Sequence, residues 1–488
     1  MDTDLDENDG VGNGAGTSLR DAVAVMNARN YAEMPIIGFA QHLDGLRIQL
    51  ESAFGGEILF SAEQEINAST LANGISIAGS RTGGGGDYRV FQANASGENI
   101  SLVGLTIEEG FATDWGGGLL VENATSCVLT DCTVRDNHAA QVGGGIAVRS
   151  ASGLALERTT ISGNNCDNLG GGLGVDSSFA QAINSTISGN HAISGGGGIA
   201  DITLSDIHLN HCTIARNTAG IGGGGIDLDH ASVHAGHTIL AQNVPRNFFA
   251  RNPSGNITTL GYNLDDGTNG EFTDGTDSAS VTNALIGPLA NNGGRTETHA
   301  LLYSSPAIDA GDPAIPSTGI LATDQTGFRA RVQDGNYVAP DTIDIGAFEL
   351  DLSTLPPDMD GDCIPNGAEV AMGFDPQDPA DGLADQDGDL IPAGKEWVAG
   401  TDDNDPQSKL EMLSVFDLTG NLDEFEVVWS SVNNPNITYD LELTEDGINW
   451  IPFEFGIPAN GPITIRVVPW ISSINNLFFR VKADRSFP

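Results

Sequence analysis

"TISGNNCDNLGGGLGV", from Thr160 to Val175, sets three glycines in a row beside an apolar alternation. The chain writes it again as "TISGNHAISGGGGIA" from Thr186 to Ala200 and as "TIARNTAGIGGGGIDL" from Thr213 to Leu228. Aligned on the residue after each glycine run, Leu119, Ile146, Leu173, Ile199 and Ile226 are 27, 27, 26 and 27 residues apart. Aligned on the apolar member of the Thr–Ile pair, Ile107, Val134, Ile161, Ile187, Ile214 and Ile239 are 27, 27, 26, 27 and 25 apart. Asn137, Asn164, Asn190, Asn217 and Asn243 follow at 27, 26, 27 and 26. Three independent markers keep one period, the signature of a stacked array.

The repeats are rich in Gly, Ser, Thr and Asn and carry short alternations such as "GGGIAV" and "STIS". These suit two or three short strands per repeat, not helices. A right-handed parallel β-helix with coils of about 27 residues is therefore expected. Equivalent residues of coils stacked ~4.8 Å apart should form ladders, with Ile and Val inside and Asn at a bend. The glycine run should mark a corner where a Cβ would strike the next coil. A flexible glycine-rich linker would not hold apolar columns at fixed offsets. A nine-residue calcium β-roll fits less well: the aspartate it needs is Asp227 in one coil, but Ala147, Gly174 and Ala200 in the others.

Charge narrows the partners. Over 488 residues there are 66 acids and 20 bases, a net charge of -46, and lysine occurs only at 395, 409 and 482. Such a surface repels nucleic acid and anionic lipid and draws cations. No apolar run approaches the ~20 residues of a membrane span. The opening "MDTDLDENDG" is not a signal peptide, so an exported protein is expected to have lost its signal. Asp2, Asp4 and Asp6 alternate there in a single copy without a closing Glu, a weak calcium pattern. Five cysteines, odd in number and uneven in spacing, argue against a disulfide framework and a zinc quartet and for buried free thiols.

The "N…GGGI" units resemble the repeats of polymorphic outer-membrane proteins and related bacterial surface β-helices. "TSLRDAVAVMNARN", Thr17 to Asn30, resembles the N-terminal signature of secreted proteins of the CSLREA type, with Thr17 for its Cys and Asp21 for its Glu. It reads as a helix with Ser18 as N-cap, Asp21 completing a capping box, and Leu19, Val23 and Met26 on one face, suited to plugging the first coil. "IGPLANNGGRTETHALLYSSPAIDAGD", Ile286 to Asp312, with "ATDQTGFRA" and "DIGAFEL", resembles the choice-of-anchor domain lettered Q. That resemblance implies an exported bacterial protein held at the cell surface, and no chemistry.

From Asp351 to Ser408 there are fifteen acids and one base. "PDMDGDCIPNGAE" and "ADQDGDLIPAGKE" stand 27 residues apart and place Asp358, Asp360, Asp362 and Glu369, then Asp385, Asp387, Asp389 and Glu396, at positions 1, 3, 5 and 12 of a calcium loop. Oxygen-only ligands at these offsets suit Ca²⁺, with the carbonyls of Ile364 and Ile391 at position 7. The glycine usual at position 6 is Cys363 or Leu390, and Gly361 and Gly388 stand at position 4. The pattern resembles thrombospondin type 3 repeats, a resemblance that implies further ligands at Asp375, Asp378, Asp381, Asp402 and Asp405. From about Lys409 strand-like runs between Asn, Pro and Gly turns predict a small antiparallel β-sandwich. Its Trp429, Trp450 and Trp470 suit a core, or sugar stacking.

The expected fold is thus all-β: an N-terminal cap with a short helix over 1–40, the parallel β-helix over 41–262 and its choice-of-anchor-like end over 263–352. The acidic calcium repeats follow over 353–408 and the sandwich over 409–488. Catalysis has little support. Parallel β-helices also host pectate lyases, which need a basic residue beside a calcium-neutralised sugar acid. Arg135, Arg158 and Arg216 fall at different coil offsets and do not gather with acids in an obvious way. Asp227, Asp229 and His230 are the densest polar set, followed by His211, and read as a surface patch; His138 and His191 lie two coils apart, too far to share a metal. The expected protein is extracellular or at the cell surface and structural or adhesive. Its partner would be a glycan or protein ligand or another copy of itself, with neither nucleic acid nor a membrane span. A carbohydrate-active enzyme, a polysaccharide lyase or glycoside hydrolase, is the alternative.

Overall fold

The structure is a computed structural model that describes residues 1–11, 13, 16–29, 31, 33–79, 88–150, 152–253, 255–267, 272–302, 305–314, 319–331, 342–350, 358–372, 374, 376–417, 424–444, 448, 450–469 and 478–485. The chain divides into two units, Met1–Leu352 and Ser353–Pro488.

Among the described residues, strands of the first unit line up in four parallel sheets. A nine-stranded sheet runs from Ile36–Gly38 to Asn256–Thr259, a ten-stranded one from Arg47–Gln49 to Ser278–Ala279, and an eight-stranded one from Ile58–Phe60 to Phe248–Ala250. A five-stranded sheet of two-residue strands, Phe111–Ala112 to Thr218–Ala219, makes a corner. Each strand pairs with its equivalent one coil on. Leu119, Ile146, Leu173, Ile199 and Ile226 are register partners in turn and are buried. Ile107, Val134, Ile161, Ile187 and Ile214 form a second inward ladder.

Ile239 corrects the second column. Ile214 pairs with Leu240, and Ile239 pairs with Thr213. A slip of one residue turns a side chain to the other face of a sheet, so Ile239 points outward. It is buried there in a separate apolar cluster with Leu264, Ile286, Leu301, Ile345 and Phe348.

The asparagine ladder forms as the period predicts. Asn137 Nδ2 donates to Asn164 Oδ1 at 3.0 Å, Asn164 to Asn190 at 3.0 Å, Asn190 to Asn217 at 2.9 Å, and Asn217 to Asn243 at 2.9 Å. Each Nδ2 also donates to a backbone carbonyl, such as that of Val134 for Asn164. The glycines sit at the neighbouring corner. Gly143 has φ +69°, and a Cβ on Gly144 would overlap the carbonyl oxygens of Asn165 and Gly171 in the next coil.

Helix α1, Leu19–Asn27, carries the capping box of Ser18 and Asp21 and buries Leu19, Ala22 and Val23 against the core. Arg20 donates to the carbonyls of Gly56 and Glu57, and Asn27 to that of Leu59, so the helix covers the outer edge of strand Ile58–Phe60. Asp6 pairs with Arg20 at 2.8 Å, and Asp2 accepts the Thr17 amide, so two of the three alternating N-terminal aspartates serve this cap.

Segment 263–352 does more than end the helix. Leu264–Asp265 and Ser278–Ala279 continue the ten-stranded sheet. The chain then returns along the outside of that sheet as a strap that begins with the antiparallel pair Ile286–Ala290 and Thr298–Leu301. The outward Thr and Ser row binds it. Thr160 Oγ1 donates to Glu297 O at 2.6 Å, Gln325 bridges Thr160 and Thr186, and Thr213 accepts the Ala347 amide. Arg295 reaches the carbonyls of Ser69 and Leu71.

In the second unit, helices α2, Asn366–Met372, and α3, Ala393–Ala399, each follow an acidic loop. Two three-stranded antiparallel sheets over Met412–Arg485 share a core of Val427, Trp429, Ile437, Tyr439, Leu441 and Val468. Trp429 is a core residue, Trp450 lies against the Arg480 guanidinium, and Trp470 falls outside the described residues. Cys127, Cys132, Cys166 and Cys212 are free and buried, whereas Cys363 is exposed, in contrast to the expectation for all five. Burial pushes the Cys127 and Cys132 thiols up to about 12, so they stay protonated and inert.

Candidate metal centres

Both acidic loops fold alike. In the first, Asp358 accepts the amides of Gly361 and Cys363, Asp360 that of Asp362, and Asp362 that of Ile364. In the second, Asp385 accepts the amides of Gly388 and Leu390, Asp387 that of Asp389, and Asp389 that of Ile391. The two copies also share left-handed backbone at positions 4 and 6: φ is +79° and +82° at Gly361 and Cys363, and +81° and +73° at Gly388 and Leu390. Thus Cys363 and Leu390 adopt the conformation that a glycine usually supplies there.

Asp358 and Asp385 use both carboxylate oxygens in these bonds, whereas Asp360, Asp362, Asp387 and Asp389 use Oδ1 alone. Oδ2 of Asp360, Asp362, Asp387 and Asp389 is buried without a hydrogen-bond partner. Helix α2 brings Glu369 to the first loop, 0% exposed, with neither carboxylate oxygen hydrogen-bonded. Asp381, on the short turn Asp381–Leu383, completes a group in which Asp360, Asp362, Glu369 and Asp381 each place an oxygen within 4.8 Å of the others. Burial, then the negative charges of Asp360, Asp362, Asp381 and Asp358, pushes the Glu369 carboxyl up to about 8. A buried carboxylate in such company is costly without a cation.

The second centre gathers Asp385, Asp387 and Asp389 in the same way. Glu396 on α3 is 1% exposed and is pushed up to about 6, chiefly by burial, with Asp387, Asp389 and Asp403 adding to it. Thr401 donates to one of its oxygens at 3.1 Å. Asp403, which the spacing did not single out, is buried, with Oδ2 lacking a hydrogen-bond partner. The other acids serve the turns around the centres. Asp378, Asp402 and Asp405 accept the amides of Ala380, Asn404 and Gln407, each two residues on. Asp375 lies outside the described residues. The first group offers four carboxylates and the second three, oxygen-only donors of the kind that suits Ca²⁺.

The first unit has a different kind of site. A cleft of about 350 Å³ between helix and strap is lined by Arg135, Asp136, Arg216, Glu297 and His299. Arg135 and Arg216 therefore do share a cleft with acids, which their sequence offsets did not show. His299 is locked: Nδ1 donates to the Gly287 carbonyl and Nε2 accepts from Ser188 Oγ, both at 2.8 Å. Arg135 also pairs with Glu108, and Arg158 with Asp131, each one coil away. Asp227 pairs with Arg251 and Asp229 with His230, while His211 is buried elsewhere, stacked on His237. His138 and His191 flank Asn165 in register, two coils apart as expected.

Residues 68–244 match the sequence model of a family described as the right handed beta helix region. No curated protein and no solved structure matches the chain. Fold and match together define a β-helix protein. Among the described residues, no helix is long and apolar enough to cross a membrane.

Proposed function

We propose that this is a secreted or cell-surface β-helix protein with a structural or adhesive role, whose second unit is braced by calcium. The observation that carries the reading is the convergence of Asp360, Asp362 and Asp381 on Glu369, a fully buried carboxylate with no hydrogen-bond donor. The resemblances to choice-of-anchor and thrombospondin type 3 segments support display outside the cell, where calcium is abundant. A net charge of -46 favours glycan, protein or self-association over nucleic acid. Calorimetric titration of the chelator-treated chain with Ca²⁺ tests the centres. A glycan and protein binding screen, run with and without calcium, tests the adhesive role, and a blank screen in both conditions would count against it.

The cleft under the strap supports a second reading, a carbohydrate-active enzyme, because it sets Arg135 and Arg216 beside Asp136 and Glu297. Release of reducing or unsaturated sugar ends from a polysaccharide panel, abolished by Glu297→Gln, would favour it over the structural role.

A further inference from the structure

The nine-stranded sheet carries a group of ligand-type residues far from the acidic loops in sequence. His208 and His234 are register partners on strands Asp206–Asn210 and Ser232–Gly236. Side chains directly across a ladder stand on one face, and the two imidazoles lie with ring centroids 4.6 Å apart. Asp206 precedes His208 by two residues, so it shares that face. Its Oδ1 lies 3.0 Å from His208 Nε2 and 3.6 Å from His234 Nε2. One oxygen thus faces two imidazole nitrogens of neighbouring coils, and all three donors fall within 4.8 Å of one another.

These distances suit a small transition-metal ion. Zn–N bonds of about 2.0–2.1 Å and Zn–O bonds of about 2.0–2.2 Å put the edges of a tetrahedron at about 3.3 Å. The two nitrogen–oxygen separations bracket that value. Phe179, the register partner of Asp206, packs against the His208 ring at 5.3 Å between centroids and limits its rotation. The side chains of Asp206, His208 and His234 are 54%, 40% and 31% exposed, so the remaining coordination positions face solvent. Two imidazoles and one carboxylate select an ion of the zinc class over calcium, which takes oxygen ligands.

We propose that Asp206, His208 and His234 form a solvent-facing, three-ligand site for a divalent transition-metal ion of the zinc class, completed by water. It is separate in chemistry from the two acidic centres. The test is a titration of the full, metal-stripped chain with Zn²⁺ in excess Ca²⁺, which keeps the acidic loops occupied. One zinc equivalent is expected to bind. His208→Ala, His234→Ala and Asp206→Asn should each weaken it by at least roughly tenfold, while His191→Ala on the five-stranded sheet should not change it. All four positions are on the outer surface, and circular dichroism checks that each variant is folded. Co²⁺ as a second probe should give a visible spectrum without a thiolate charge-transfer band, which separates the site from exposed Cys363. Absence of a zinc equivalent in calcium, or zinc binding unchanged in both His208→Ala and His234→Ala, would overturn the proposal.

Discussion

Asn190 shows how much one residue holds in a stacked coil. Its Oδ1 accepts both the backbone amide and the Nδ2 of Asn164, and its own Nδ2 donates to Ile161 O and Asn217 Oδ1. All of this happens at 0% exposure. Asn190→Ala would strand several buried polar groups, each costing about 1–3 kcal/mol. The first unit should lose about 3 kcal/mol or more in denaturant unfolding, and a variant as stable as the parent would show that the ladder is dispensable. His299 belongs to the same scale. Burial, with the Arg216 charge helping, holds it down at about 4, and His237 is likewise held at about 4 by burial and Arg331. The unfolded chain, with imidazoles near ~6.5, takes up protons that the folded chain refuses. Stability supplied by these residues is therefore complete above about pH 6.5 and falls as the pH drops toward about 4. Asp344, pushed up to about 7 by burial, works in the opposite direction over much of that window. The comparison that isolates the histidine is His299→Gln: between about pH 7 and pH 5 the parent should lose more unfolding free energy than the variant. Equal losses would mean that His299 charges without cost. The asparagines were legible because a period exposes them. The zinc-class triad was not, because Asp206, His208 and His234 look unrelated until the strand faces and the coil register are known.

Among the elements, the repeat of the acidic loops was legible, since spacing alone predicted two matched loops 27 residues apart, and the two share their amide bonds and left-handed turns. The acids after the loops were harder to sort. A string of aspartates does not say which of them turns inward: Asp381 joins the first group and Asp403 is buried where its charge acts on Glu396, while Asp378, Asp402 and Asp405 are exposed. The return of the strap was hidden for a similar reason. A segment resembling a terminal domain carries no sequence mark of the face it will cover, although outward Ile239, one residue out of step, was a clue. Gly382 gives the loops a direct test. It lies against the first loop, where an added Cβ would overlap Asp362 Oδ2, the oxygen left unpartnered for the centre. Gly382→Ala should displace that oxygen and weaken calcium at the first centre by roughly tenfold, about 1.4 kcal/mol. The second centre should be unchanged, so calorimetry should resolve two unequal sites. Two sites identical to the parent's would remove Asp362 from the ligand set.

At the scale of the whole molecule, the two units depend on different sources of order. The first buries long apolar ladders and closes its asparagine and threonine rows with hydrogen bonds, so its core needs no ion. The acidic segment of the second has fourteen acids against one base from Ser353 to Ser408. Its described large apolar residues, such as Ile364, Leu383, Leu390 and Trp397, include two, Leu383 and Leu390, that are 72% and 87% exposed. Like charges at this density repel, and little core opposes them. Bound calcium would remove both difficulties at once, because its binding energy would become folding energy where the empty site is unfavourable. A chelator should therefore act on one segment of the chain. Proteolysis between Asp358 and Lys409 should accelerate, while a fragment ending near Leu350 persists. Glu369→Gln and Glu396→Gln should each reproduce part of this in the presence of calcium, since position 12 gives two oxygens to the ion. Added calcium should restore resistance in the parent and only partly in the variants. Calorimetry without calcium heat at micromolar to millimolar concentrations, together with a cleavage pattern indifferent to chelator, would reduce the acidic segment to a spacer between two folded ends.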